Sequence, residues 1–173
     1  MIGAYWNDDS DNVDNGAAYV FTRSAVTWTE QAKLLASDKA SGDEFGRSVA
    51  IDGDTVVIGA NWEDDSGTYN NGAAYVFTRS AGIWAQQAKL LASDKANDDL
   101  FGMSVALDGD TAVIGAYWND DSDTVDNGAA YVFTRSDGIW TEQAKLLASD
   151  KDDKNFFGYS VALDGDTAVI GAY

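Results

Sequence analysis

The sequence contains no cysteine, no histidine and no proline. Without cysteine there can be no disulfide, no zinc-thiolate site and no thiol nucleophile. Without histidine the commonest general base and transition-metal ligand is gone, so any bound metal has to be hard and oxygen-held, calcium before zinc. Positive charge is scarce as well: 11 Lys and Arg stand against 29 Asp and Glu, a formal net charge of -18. Nucleic acid and anionic membrane surfaces are poor partners for such a chain, because binding phosphate requires a basic patch. No apolar run is long enough to span a bilayer, and no basic-then-apolar leader opens the sequence. No membrane insertion is expected, and any export signal is expected outside this chain.

What is present is enough for a core. A chain of 173 residues that is 45% hydrophobic and 12% aromatic reads as one globular domain. Its dominant feature is repetition. Phe45-Gly46, Phe101-Gly102 and Phe157-Gly158 open the same phrase, and 101 - 45 and 157 - 101 both equal 56. Gly3, Gly59, Gly115 and Gly171 keep that spacing, as do Trp28, Trp84 and Trp140. A fixed period of this kind marks a repeat architecture.

Each repeat reads as four short strands. In the middle copy, residues 47–51 lead through the tight-turn signal Asp52-Gly53-Asp54 to the β-branched run Thr55, Val56, Val57, Ile58, which is apolar on both faces and expected to be buried. An acidic loop follows, then the alternating segment 73–79. The Ala81-Gly82 turn leads into residues 83–91, which have helix-forming composition but no N-cap, and which are assigned as a strand. The predicted fold class is all-β, a β-propeller of four-stranded antiparallel blades. The blades are residues 45–100, residues 101–155, and one split between residues 1–44 and 156–173, within a single domain of 1–173. Three blades fall short of a closed ring, so the expected assembly is a homodimer forming a six-bladed ring, with the split blade completed between chains.

The phrase FGMSVALDGDTAVIGAY, continued by NGAAYVF, resembles the FG-GAP repeat of integrin α-subunit propellers and of bacterial surface proteins. The resemblance covers the whole chain three times and implies an extracellular or cell-surface binding module. Two departures stand out. Tyr5, Asn61 and Tyr117 replace the proline after Gly-Ala. The segment in which the family carries its calcium loop, between Phe-Gly and Gly-Ala, has shrunk to Asp52-Gly53-Asp54 and its copies, too short to offer six to eight oxygens.

A different loop therefore becomes the candidate metal site. In copies one and three Asp8, Asp9, Asp11 and Asp14, and Asp120, Asp121, Asp123 and Asp126, lie close enough in sequence to repel one another unless a cation neutralises them, and calcium is the expected cofactor. The competing reading is a solvated turn rich in Asp, Asn, Ser and Gly. Copy two, with Gly67 and Asn70 at two of these positions, should bind more weakly. Alternating strand directions place these loops and the loops after each fourth strand on one acidic face. Trp6, Trp62 and Trp118 border it, either as sugar-stacking platforms or, following the usual burial of large aromatics, as wedges between blades. Repeated loops offer no single active site, so the expected function is non-enzymatic: protein binding or adhesion through a protein or glycan ligand. The alternatives are a lectin propeller, or an engineered or excised repeat array whose role is self-assembly.

Overall fold

The computed structural model describes residues 1–9, 12–120 and 124–173. Thirteen strands run in chain order: β1 Ile2–Ala4, β2 Ala17–Ser24, β3 Thr27–Leu34, β4 Ser48–Asp52, β5 Thr55–Ala60, β6 Ala73–Ser80, β7 Ile83–Leu90, β8 Ser104–Asp108, β9 Thr111–Ala116, β10 Ala129–Ser136, β11 Ile139–Leu146, β12 Ser160–Asp164 and β13 Thr167–Gly171. All pairings between them are antiparallel. Two complete four-stranded blades, β4-β5-β6-β7 and β8-β9-β10-β11, are flanked by a three-stranded sheet, β1-β2-β3, and a two-stranded one, β12-β13. The all-β class and the four-stranded antiparallel blades are as expected, with two blades complete.

Local chemistry explains the elements. The helix-prone segment 83–91 is strand β7, because its tryptophan and lysine are in register with Arg79 and Tyr75 of β6, and such cross-strand pairs outweigh intrinsic propensity. In the second and third blades the hairpin between third and fourth strands turns on two left-handed residues, Ala81-Gly82 and Asp137-Gly138, which match the twist of the flanking strands. The third and fourth strands carry one register shift in every blade, between Val20 and Phe21, Val76 and Phe77, and Val132 and Phe133. All six residues of β5 are buried, as its unbroken apolar pattern requires.

Blades stack face to face. One face offers small aliphatic side chains, the next blade's opposing face aromatic ones: Val57, Ala74, Val76 and Leu90 receive Phe101, Tyr131, Phe133 and Trp140. Ala18, Val20 and Leu34 receive Phe45, Tyr75 and Phe77 in the same way. Phe45 and Phe101 are wholly buried and meet the following tyrosines edge to face at 5.5 Å.

Candidate functional site

The loops after each second and fourth strand do share one face. Backbone bonds stitch them together: the Gly42 amide donates to the Val13 carbonyl at 2.9 Å, and the Asp98 amide to Tyr69 at 3.0 Å. Within each acidic loop the carboxylates cap backbone amides. The amides of Asp14, Asn70 and Asp126 donate to Asp8, Asp64 and Asp120 at 2.8, 2.7 and 2.7 Å. The buried Asn15 and Asn71 side chains accept from the amides of Asp9 and Asp65.

A second feature of these loops escaped the sequence reading. Lys39 forms an ion pair with Asp9, and Lys95 with Asp65, each lysine reaching in from the loop after the fourth strand of the same blade. Protein ammonium groups thus supply countercharge to this face. The lysine lies 30 residues from its aspartate both times, a recurring interval that was the available signal. Of the eight carboxylates assigned to metal, Asp11, Asp121 and Asp123 lie outside the described residues. Asp8, Asp9, Asp14, Asp120 and Asp126 are all on the loop face, and among the described residues no three acidic groups come together as a metal-holding cluster. Partial burial, reinforced by the charge of Asp120, raises the Asp126 carboxyl above its ordinary range.

The tryptophans beside the loops are not wedges. Trp6, Trp62 and Trp118 keep 69%, 38% and 36% of their surface, because each follows a tyrosine or asparagine that turns the chain outward before the loop. The aromatic that does fill a blade junction is Trp140, 9% exposed, whose counterpart Trp84 is half-buried and whose counterpart Trp28 is open.

Between the first and second blades the face opens into a cleft of about 270 Å³, lined by Asp38, Ser41, Asp43, Trp62, Glu63, Asp64 and Asn70. Its floor is a polar network. Tyr75 donates to Asp38 at 2.9 Å, and Lys89 bridges Asp38 at 2.8 Å and Glu63 at 2.5 Å. Burial opposes ionisation of Asp38, but the hydrogen bonds from Lys89 and Tyr75 prevail and hold its carboxyl below the usual range. Burial raises Glu63 despite Lys89. Burial also pushes Asp43 up to about 6, with the Ala40 amide opposing and the charges of Asp38 and Asp64 reinforcing the shift.

This repeated architecture agrees with the comparisons to known proteins. A family model described as the FG-GAP repeat matches residues 28–77, 84–133 and 140–173. The chain belongs to the FG-GAP repeat family. Integrin alpha-6 of Gallus gallus is 31% identical over 132 residues, an alignment covering 68% of this chain. The chain spans only 12% of that integrin's length.

The geometry shows what the FG-GAP glycines do. A Cβ on Gly59 would stand 1.9 Å from the Gly102 carbonyl oxygen of the next blade, and one on Gly115 the same distance from Gly158. The Phe-Gly glycine donates its amide within its own blade, Gly46 to Gly59 at 2.9 Å and Gly102 to Gly115 at 3.0 Å, while its carbonyl lies against the Gly-Ala strand of the blade before it. The motif is thus a backbone-to-backbone seam between FG-GAP blades. The shortened Asp-Gly-Asp hairpins do not fit the family's calcium ion. Arg79 and Arg135 hold Asp54 and Asp110, both at 2.6 Å, while Asp52 and Asp108 accept the amides of Gly109 and Gly165 from the following hairpins. Among the described residues no helix is long and apolar enough to cross a membrane.

Proposed function

We propose that this chain is part of a non-enzymatic, extracellular adhesion or protein-binding module whose contact surface is the loop face. The observation that carries the proposal is the cleft in which the exposed Trp62 ring stands beside Asp38, Asp43, Glu63 and Asp64. Exposed aromatics next to buried polar groups are the usual anchors of protein interfaces. The likeness to integrin alpha-6 supports the same reading and an extracellular setting. The test is a panel of extracellular-matrix and cell-surface ectodomains immobilised beside a glycan array. Protein partners are expected whose binding weakens about tenfold or more in Trp62→Ala. No protein partner on the panel overturns the reading.

A lectin is the second reading, favoured by three exposed tryptophans repeated around the same face. Glycan binding that Trp118→Ala abolishes is its expected signature. Calcium in the first and third acidic loops is a separate proposal resting on their carboxylate spacing. Absence of heat in a calorimetric titration with millimolar calcium chloride ends it.

A further inference from the structure

The cleft sits at the first junction, between the first and second blades. The loop before β4 lines it with Asp38, Ser41 and Asp43, and the loop after β5 with Trp62, Glu63, Asp64 and Asn70. Its chemistry is one-sided. Carboxyl groups make up most of the wall, and the ammonium at its floor, that of Lys89, is already shared between Asp38 and Glu63. Glu63 is the acid left incomplete. It is 5% exposed, its Oε1 takes Lys89 at 2.5 Å, and its Oε2 is buried with no hydrogen-bond partner. A buried carboxylate oxygen without a partner is unfavourable, and in a side chain that lines an open cleft the missing donor is one that a ligand brings. The charges of Asp43 and Asp38 add to burial in raising the Glu63 carboxyl, as expected where negative charge is in excess.

The arrangement of the acids selects the kind of cation. Among the described residues no three acidic groups come together as a metal-holding cluster, so the cleft spreads its negative charge along its walls instead of focusing it on one ion. Glu63 and Asp43 are buried at the inner end, while Asp64 is exposed at the rim. Backbone amides fix two of these positions: Ala40 donates to Asp43 at 2.6 Å and Asn70 to Asp64 at 2.7 Å. Ionised carboxylates accept hydrogen bonds and donate none, so the ligand has to supply the donors. Between the two ends stands the Trp62 ring, 38% exposed, which suits an apolar stretch or an ammonium lying on its face. A flexible molecule with ammonium groups set apart by methylenes meets all of these conditions.

We propose that this cleft binds an aliphatic polyamine, with one ammonium at Glu63 and Asp43, the methylene chain along Trp62 and a second ammonium at Asp64. This inference rests on the reading of the cleft as a binding site and adds the chemistry of what it takes. The formal net charge of -18 favours the approach of any cation, so selectivity comes from the buried end, where a partner oxygen is waiting. The second junction, between the second and third blades, gives an internal comparison. Asn119 stands there in the place of Glu63 and is equally buried, so an amide at this position is compatible with the fold.

Calorimetric titration of the 173-residue chain with spermidine, with butylamine and with a capped Gly-Lys-Gly peptide tests it. Spermidine is expected to bind with a Kd below about 1 mM, and about tenfold or more tightly than butylamine or the peptide, each of which carries one ammonium. Glu63→Gln and Trp62→Ala, both checked for folding by near-UV circular dichroism, should each weaken spermidine binding about tenfold. Asp137→Asn removes an exposed charge from the hairpin between β10 and β11 and should leave the affinity unchanged. The proposal is overturned by absence of spermidine heat at millimolar concentration, by butylamine or the peptide binding as tightly as spermidine, or by Asp137→Asn weakening binding as much as Glu63→Gln. A protein partner bound through Trp62 would leave the adhesion reading intact in any of those cases, whereas spermidine binding with no protein partner would remove that reading alone.

Discussion

The two blade junctions of this chain are nearly superimposable in chemistry and differ at one informative place. Tyr75, Lys89 and Asp38 at the first repeat as Tyr131, Lys145 and Asp94 at the second, with matching hydrogen bonds of 2.7 to 2.9 Å. The position beside them is Glu63 at the first and Asn119 at the second, both buried, each with one side-chain oxygen lacking a hydrogen-bond partner. Yet Asp43 and Asp99, the carboxyls facing these two residues, are both pushed up to about 6, with burial the largest cause in each. The tight turns that bond Asp43 to the Ala40 amide and Asp99 to the Ala96 amide bury the acid, and its neighbour only adjusts the result. Glu63 contributes a second buried acid and thereby makes the first junction dependent on Lys89.

The comparison is tested first where no difference is expected. Phe45→Ala and Phe101→Ala remove equivalent, wholly buried rings and leave cavities in the two junctions. Each should cost about 3 to 5 kcal/mol in chemical denaturation, and the two values should agree. A large gap between them would show that the junctions are not the equivalent units their bonds indicate.

The lysines should separate the junctions. Lys89 is bonded to two carboxylates, one of them the buried Glu63, whereas Lys145 pairs with the half-exposed Asp94. Lys89→Met leaves Glu63 buried without its counter-ion and should cost about 2 to 3 kcal/mol at pH 8. Lys145→Met should cost less than about 1 kcal/mol. Burial already raises the Glu63 carboxyl, so the Lys89→Met penalty should shrink as the pH falls and Glu63 takes up its proton. Equal costs at pH 8 would mean that Glu63 does not load this lysine.

Much of this arrangement was legible in the sequence, and the missing parts share a cause. The 56-residue period, the alternating third strands and the Asp-Gly-Asp turns gave the blades and their hairpins, because those signals are local. The roles within the turns were not local: Asp52 and Asp108 proved to be struts to the next hairpin, 57 residues on in both cases. Lys39 and Lys95 likewise neutralise loop carboxylates 30 residues away, and nothing in the acidic run itself announces a lysine. Sequence alone leaves Trp6, Trp62 and Trp118 as either platforms or wedges, because size does not tell which way the chain turns after Gly-Ala, and the fold leaves all three exposed. Asp43 and Asp99, inside polar loops, look like their solvated neighbours until the following Phe-Gly seam folds them under.

The smallest expected effect concerns those two buried acids. Both have folded-state values above the ordinary carboxylate range, so the folded chain holds their protons more tightly than the unfolded chain. The stability each contributes is complete below about pH 4 and is lost as the pH rises through about 6. An amide at the same place keeps an acceptor for the turn amide and carries no charge to bury, and the third repeat has one, Asn155. Asp99→Asn should therefore stabilise the chain by about 1 kcal/mol at pH 8 and leave it unchanged near pH 3. Asp43→Asn should gain somewhat more at pH 8, because Asp43 also raises Glu63 through its charge, an interaction that Asn119 cannot have. Urea denaturation of both variants between pH 3 and 8 checks the order, and a larger gain from Asp99→Asn would locate the strained acid at the wrong junction.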